Sequence, residues 1–286
     1  MLQGKYTTFL QSHQVQRKCF LTLVLLLLLF QNGIGMGERL GRGTKSIALS
    51  NAFVAVADDP WTIFYNPAGL IQLSSIEAGA FIIPNQFGIS ELRTVSSAMA
   101  LPLKYFSAGI AAEQFGFQLY REVEGRCAIA ASIINSIGFG VSCNYHKLII
   151  ERYGSASVFS FDIGILASMT KNASLGFSAK NITGATVSHL NEKLPQIFSV
   201  GVAQRFSHGF LITVEAEKDI RYPYLIKAGI EHRIFNVLYL RCGINSQPKS
   251  YSLGGAVSFY WCSFGYACHS HPFLGYTHQV DIKVKL

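Results

Sequence analysis

From about residue 75 to Leu286 the chain repeats one pattern: eight to twelve residues of period-two alternation, then a few Gly, Asn, Ser, Pro or charged residues. Strict alternation puts one set of side chains on each face of a strand, and turn-forming residues at even spacing predict many short antiparallel strands. The pattern is clearest after Pro195. Phe198, Val200 and Val202 alternate with Ser199, Gly201 and Ala203, and Phe210, Ile212, Val214 and Ala216 alternate with Leu211, Thr213, Glu215 and Glu217. Tyr224, Ile226, Ala228 and Ile230 are set against Leu225, Lys227, Gly229 and Glu231. Leu238, Leu240, Cys242 and Ile244 follow, then Val280, Ile282, Val284 and Leu286.

The runs fall near 75–83, 94–103, 105–120, 126–134, 137–147, 156–167, 173–182, 195–205, 208–218, 222–232, 236–244, 250–260, 262–270 and 275–286, fourteen in all. An even number of strands, each about ten residues long, suits a closed antiparallel barrel that crosses a hydrocarbon core at a tilt. The alternative is a soluble β-sandwich. Only 14% of residues are charged, against about 25% in an ordinary soluble domain. The polar alternates are mostly Gly, Ala and Ser, whereas a sandwich would turn Lys, Glu and Thr to water. The few charges also compensate: Glu215 and Glu217 precede Lys227 by one run, and Glu231 precedes Arg241. These five are candidate lumen charges, pairing across neighbouring strands. Phe206, Tyr222, Phe235, Tyr260, Trp261, Phe273 and Tyr276 sit near run ends, where interfacial girdles belong.

Ahead of the strands, Arg17 and Lys18 precede a 12-residue apolar run, Cys19–Phe30, followed by small residues at Gly33 and Gly35. That order of basic flank, short apolar core and small residues predicts a secretory signal peptide over residues 1–35; an uncleaved anchor is the alternative. Its removal would take away Lys5, Arg17 and Lys18 and lower the net charge from +8 to +5. So small an excess, without a basic run, is no nucleic-acid footprint. The remaining cysteines, Cys127, Cys143, Cys242, Cys262 and Cys268, show no CxxC spacing. Cys262 and Cys268 with His269 and His271 lack close metal-ligand spacing, so they read as strand residues beside turn histidines. No metal or cofactor is expected. Nor is catalysis: Ser, His and Asp are scattered, with no HExxH, GxSxG or P-loop. Gly138, Gly140, Gly254 and Gly255 lie inside predicted strands, where they mark close backbone approach or a bend.

Residues 36–74 read differently, as a plug segment. Ser46–Ala57 is almost entirely small or apolar and predicts a helix buried on every side, ended by Asp58-Asp59-Pro60. Asp59 with Pro60, and Asn66 with Pro67, each supply a capping side chain and a fixed φ for a further short helical turn. A small element buried all round, next to a barrel, belongs in its lumen. Asp58 and Asp59 should then face cations or backbone donors, because a buried carboxylate is costly unless paired.

The segment Ala52-Phe53-Val54-Ala55-Val56-Ala57-Asp58-Asp59-Pro60-Trp61-Thr62-Ile63-Phe64-Tyr65-Asn66-Pro67-Ala68-Gly69-Leu70 resembles the N-terminal signature of FadL-like outer-membrane barrels, in the branch called PorV/PorQ. Asp58-Asp59 matches the acidic pair of that family, and Asn66, Pro67 and Ala68 match its Asn-Pro-Ala plug element. Leu175-Gly176-Phe177-Ser178-Ala179-Lys180-Asn181-Ile182 is similar to a strand of the same branch. The resemblance implies a fourteen-stranded barrel with a luminal plug in the bacterial outer membrane. It implies one of two roles: passive passage of hydrophobic small molecules, or service as a type IX secretion component that binds partner or cargo proteins. In the first role Asp58, Asp59 and Asn66 would hold a plug that shifts to open a path; the alternative is that they only cap helices.

Overall fold

The computed structural model describes residues 40–134, 136–187 and 192–286. The expected signal peptide, residues 1–35, and the first four residues of the plug segment lie outside them. The described residues form sixteen strands: β1 Glu77–Ile83, β2 Thr94–Pro102, β3 Ser107–Gly116, β4 Tyr120–Ile134, β5 Ile137–Ile150, β6 Gly154–Ser168, β7 Ala173–Lys180, β8 Thr186–Val187, β9 Glu192–Lys193, β10 Ile197–Arg205, β11 Phe210–Asp219, β12 Leu225–Ile234, β13 Leu238–Asn245, β14 Ser250–Ser258, β15 Cys262–His271 and β16 Gly275–Lys285. Fourteen of them form one closed antiparallel barrel, and β8 and β9 make a separate small hairpin. Closure is by β1 against β16, with Glu77 opposite Lys285 and Ile82 opposite Val280. No strand edge of the ring is left over, which is what a sheet in hydrocarbon requires.

Alternation decides which face is which. Along β10, Ser199, Gly201 and Ala203 are buried while Phe198, Val200 and Val202 are exposed. Ile110, Ile129, Leu240, Leu253 and Val280 continue the exposed apolar set around the wall. A band of large apolar side chains on thirteen of the fourteen barrel strands far exceeds the patch size a water-soluble monomer tolerates, so this surface is a lipid-facing one.

The two ends of the barrel differ. One carries only short turns, at 103–106, 169–172, 206–209, 235–237 and 259–261. The other carries the longer connections 84–93 and 181–196. Of the expected girdle, Phe206, Phe235, Tyr260 and Trp261 are exposed at the short-turn end, and Tyr222, Phe273 and Tyr276 at the other.

Two expectations need correction. The run 105–120 is broken at Gly116, which takes φ +97° and opens a turn through Phe117-Gln118-Leu119. That turn is mostly apolar, so it reads as strand, whereas Arg121–Gly125 reads as a polar connection but is the first part of β4. The buried helix expected over Ser46–Ala57 spans only Thr44–Ala48, here α1. Ser50 and Asn51 adopt left-handed φ values of 53° and 61°, which ends it; the rest of the segment stays buried as turns.

Candidate functional site

The plug fills the middle of the lumen. It consists of α1, a 3-10 turn at Pro60–Phe64 and another at Pro67–Gln72. Ile47, Leu49, Phe53, Trp61, Ile63 and Leu70 are all fully buried, as a core element would be.

Both predicted caps form, and each also ties the plug to something else. Asp59 Oδ1 accepts from the Trp61 N–H at 3.1 Å, while Asp59 Oδ2 takes the Lys283 ammonium of β16 at 2.8 Å. Asn66 Oδ1 accepts from the Ala68 N–H at 3.1 Å, and its Nδ2 donates to the Val54 carbonyl at 2.8 Å and to the Ile165 carbonyl of β6 at 3.1 Å. One amide side chain thus caps a turn, braces the plug and reaches the wall. Pro67 and Ala68, buried beside it, complete the motif.

Asp58 receives Lys45 Nζ at 2.9 Å on both oxygens and Arg205 Nη2 of β10 at 3.0 Å. Burial opposes ionisation of Asp58, but Lys45 and Arg205 outweigh it and bring the carboxyl from an ordinary 3.8 down to about 2. A depressed folded value contributes stability that is present above about pH 4 and fades as pH falls toward about 2. The unfolding midpoint in detergent should therefore drop more steeply over that acid range in the unsubstituted protein than in Asp58→Asn, which lacks the titration.

The lumen charges pair as the alternation suggests. Glu215 lies opposite Lys227, and Glu231 opposite Arg241. Lys227 Nζ reaches Glu215 at 3.3 Å and Glu217 at 2.6 Å, and Arg241 Nε donates to Glu231 at 2.6 Å. Glu215 does more than pair: its Oε2 accepts the Phe53 and Val54 N–H groups, both at 2.9 Å, so the wall holds the plug backbone directly.

A second charged group has no counterpart among the sequence candidates. Glu113 of β3 and Glu124 of β4 face each other in register, an arrangement that like charges destabilise. Arg42, in the plug segment just ahead of α1, lies between them with its guanidinium bonded to Glu113 and 3.5 Å from Glu124. Arg126 completes the group through Glu124 and through Asp162 at 2.8 Å. The Phe64 ring has the Arg42 and Arg126 guanidinium carbons 5.2 Å and 5.1 Å from its centroid. Three strands further round the ring from β3, Asp281 of β16 accepts from the Thr44 N–H at 2.9 Å and from its hydroxyl at 2.8 Å. The available signal was Glu113 and Arg126 sitting on the small-residue alternates of their runs, and Asp281 on the polar alternates of the last run beside Gln279 and Lys283.

Glycines make the close fit possible. A Cβ on Gly140 of β5 would lie 2.4 Å from Ala68 N, and one on Gly176 of β7 2.2 Å from the Val54 carbonyl. On Gly109, Gly201 and Gly229 it would press on Ile63, Val54 and Leu49 at 2.7–2.8 Å. The belt runs around most of the wall; sequence reading singled out only Gly138, Gly140, Gly254 and Gly255. Gly138 and Gly254 also face the plug, at Ile71 and Ala48.

Cys262 and Cys268 lie on β15, and neither is joined in a disulfide. His269, expected beside a turn, is instead inside that strand and buried in the lumen, its Nδ1 2.9 Å from the Ser252 hydroxyl. Alternation puts it there because Ala267 and His269 share a face.

Fold and site together define a closed membrane β-barrel stoppered by its own preceding segment. Neither a protein-family model nor a curated protein sequence matches the chain. Solved structures do share the fold. A protein described as the CymD monoaromatic hydrocarbon channel superposes with a TM-score of 0.67 at 11% identity, over 86% of this chain and 98% of that one. The toluene transporter TodX of Pseudomonas putida gives 0.64 at 12% identity, over 87% and 99%. A FadL homologue of Pseudomonas aeruginosa gives 0.58 at 10% identity, over 85% and 98%.

Proposed function

We propose that this chain is a bacterial outer-membrane barrel of the FadL-like PorV/PorQ type that admits small hydrophobic molecules passively, with the plug as its gate. The observation that carries the reading is the apolar seam between plug and wall. Leu49, Val54, Ile63, Leu70 and Ile71 meet the bare backbone of wall glycines there. A displaced plug would therefore open an apolar-sided slot, favourable to hydrocarbon and costly for ions or sugars. Apart from the chain itself, which runs from the plug into β1, no disulfide joins plug and wall among the described residues. Its ties to the wall are ion pairs from Arg42 to Glu113 and Glu124, Lys45 to Glu231, Asp58 to Arg205 and Asp59 to Lys283, together with hydrogen bonds such as those of Asn66 to Ile165 and of Glu215 to Phe53 and Val54. The names of the structural neighbours, a hydrocarbon channel and a toluene transporter, point to the same solute class. Short turns would face the periplasm and the longer connections the outside.

The test locks the gate. Ser50 of the plug and Ser252 of β14 have their hydroxyl oxygens 3.1 Å apart, so Ser50→Cys with Ser252→Cys can be oxidised to a disulfide. Cells carrying that variant should lose the protein-dependent part of toluene uptake when oxidised and regain it on reduction. Uptake that is indifferent to the lock removes the gating role. Recovery of stoichiometric protein partners from detergent-extracted membranes, with no effect on uptake, would favour the secretion role instead.

A further inference from the structure

A cavity of about 580 Å³ opens on the outside of the barrel at the long-connection end, between the 84–93 connection and the β3–β4 turn. It is separate from the lumen. Ile82 of β1 and Gln114 of β3, which line it, belong to the outward alternates, while their neighbours Phe81, Ile83 and Glu113 are buried inward. Ile82 and Gln114 are both cross-strand partners of Val95 on β2, so the cavity lies against one outward row of the wall.

Its chemistry is divided. Arg93 and Arg121 both line it, and no carboxylate lies within ion-pair distance of either among the described residues. The acids nearest in sequence are engaged elsewhere: Glu91 accepts from the Ser90 hydroxyl at 3.0 Å and Glu122 from the Tyr120 hydroxyl at 2.6 Å. Gln114 and Gln118 add amide donors, while Ile82 and Phe117 supply apolar surface. Further along β3, into the wall, the outward residues become Ala112 and Ile110. An occupant would thus meet two guanidinium forks at the rim and hydrocarbon below them.

We propose that this cavity binds a phosphate-bearing membrane lipid, its headgroup held by Arg93 and Arg121 and its acyl chains lying on the wall beneath. Guanidinium groups match phosphate oxygens in pairs, and both charges stand at the long-connection end of the wall, Arg93 just before β2 and Arg121 at the start of β4. A free anion would use the arginines but gain nothing from Ile82, Phe117 and the apolar wall. The proposal is independent of whether the plug opens.

Native mass spectrometry of the detergent-solubilised protein with dioleoyl phosphatidic acid tests it. The unsubstituted protein should retain the lipid. Arg93→Gln with Arg121→Gln should lower retention about tenfold or more, since each charge-assisted bond contributes on the order of a factor of ten. Arg221→Gln, at an exposed arginine of the same end that already pairs with Asp219, should leave it unchanged. Both target arginines are exposed, so the double variant should still show heat-modifiable migration. Equal retention by the double variant overturns the proposal. So does retention of uncharged dioleoylglycerol as strongly as the acid, or displacement of the lipid by inorganic phosphate at equal concentration.

Discussion

Gly140→Ala is expected to destabilise the barrel by about 3 kcal/mol, because the added methyl has nowhere to go. It would sit 2.4 Å from Ala68 N and 2.5 Å from Pro67 C, and both are backbone atoms that cannot rotate aside. Either the plug turn Pro67–Gln72 moves off the wall or β5 bows outward, and both outcomes break the packing of the first 3-10 turn behind it. Gly125→Ala is the matched control: it is a strand glycine with nothing within 4 Å of the added atom, and the change should stay within about 0.5 kcal/mol. Urea unfolding in detergent micelles, followed by tryptophan fluorescence, reads both. Equal midpoints for the two variants would mean that the plug does not press on the wall at this point.

Glu215→Ala should cost about 3–5 kcal/mol, the range for breaking a buried ion pair by deleting one partner. The carboxylate does three jobs at once, accepting from Phe53 N–H, Val54 N–H and Lys227. Its loss orphans two buried amides of the plug, each worth about 1–3 kcal/mol when left unmade. Lys227 is spared complete isolation because Glu217 remains 2.6 Å away. Glu215→Gln should recover part of the loss by keeping one acceptor oxygen. Combining Glu215→Ala with Lys227→Met should cost less than the sum of the single changes, by roughly 0.5–3 kcal/mol, since the two share one network. Strict additivity would show that the pair is not coupled.

Both variants act where sequence and structure diverge in how much they reveal. The wall was legible because period-two alternation is a local property, and fourteen runs became the fourteen strands of the barrel. The two caps were legible because Asp59-Pro60 and Asn66-Pro67 carry their own geometry. Glu215 with Lys227, and Glu231 with Arg241, could be read because consecutive strands are neighbours and the connections are short. What the sequence hid depends on closure. Glu113 and Glu124, facing each other on β3 and β4, are tolerated because Arg42, 71 residues before Glu113, is brought between them when the ring closes on the plug. Asp281 finds its partner Thr44 across 237 residues. The glycine belt was hidden for the same reason, since a small residue on an inward alternate means little until one knows what lies inside. The overlong helix expected over Ser46–Ala57 was a failure of composition: small apolar residues suit any buried backbone, and left-handed Ser50 and Asn51 leave no mark in hydropathy.

The tightness of the glycine belt has a bearing on how the molecule comes into being. A finished ring that leaves less than a methyl group of clearance cannot be threaded afterwards by Trp61, Phe53 and Leu70. The seam between the first and last strands must therefore shut around a stopper already in position, which makes the plug segment a mandrel on which the later hairpins are wound. Damage to that segment should then show up first as failed assembly, before any question of what passes through.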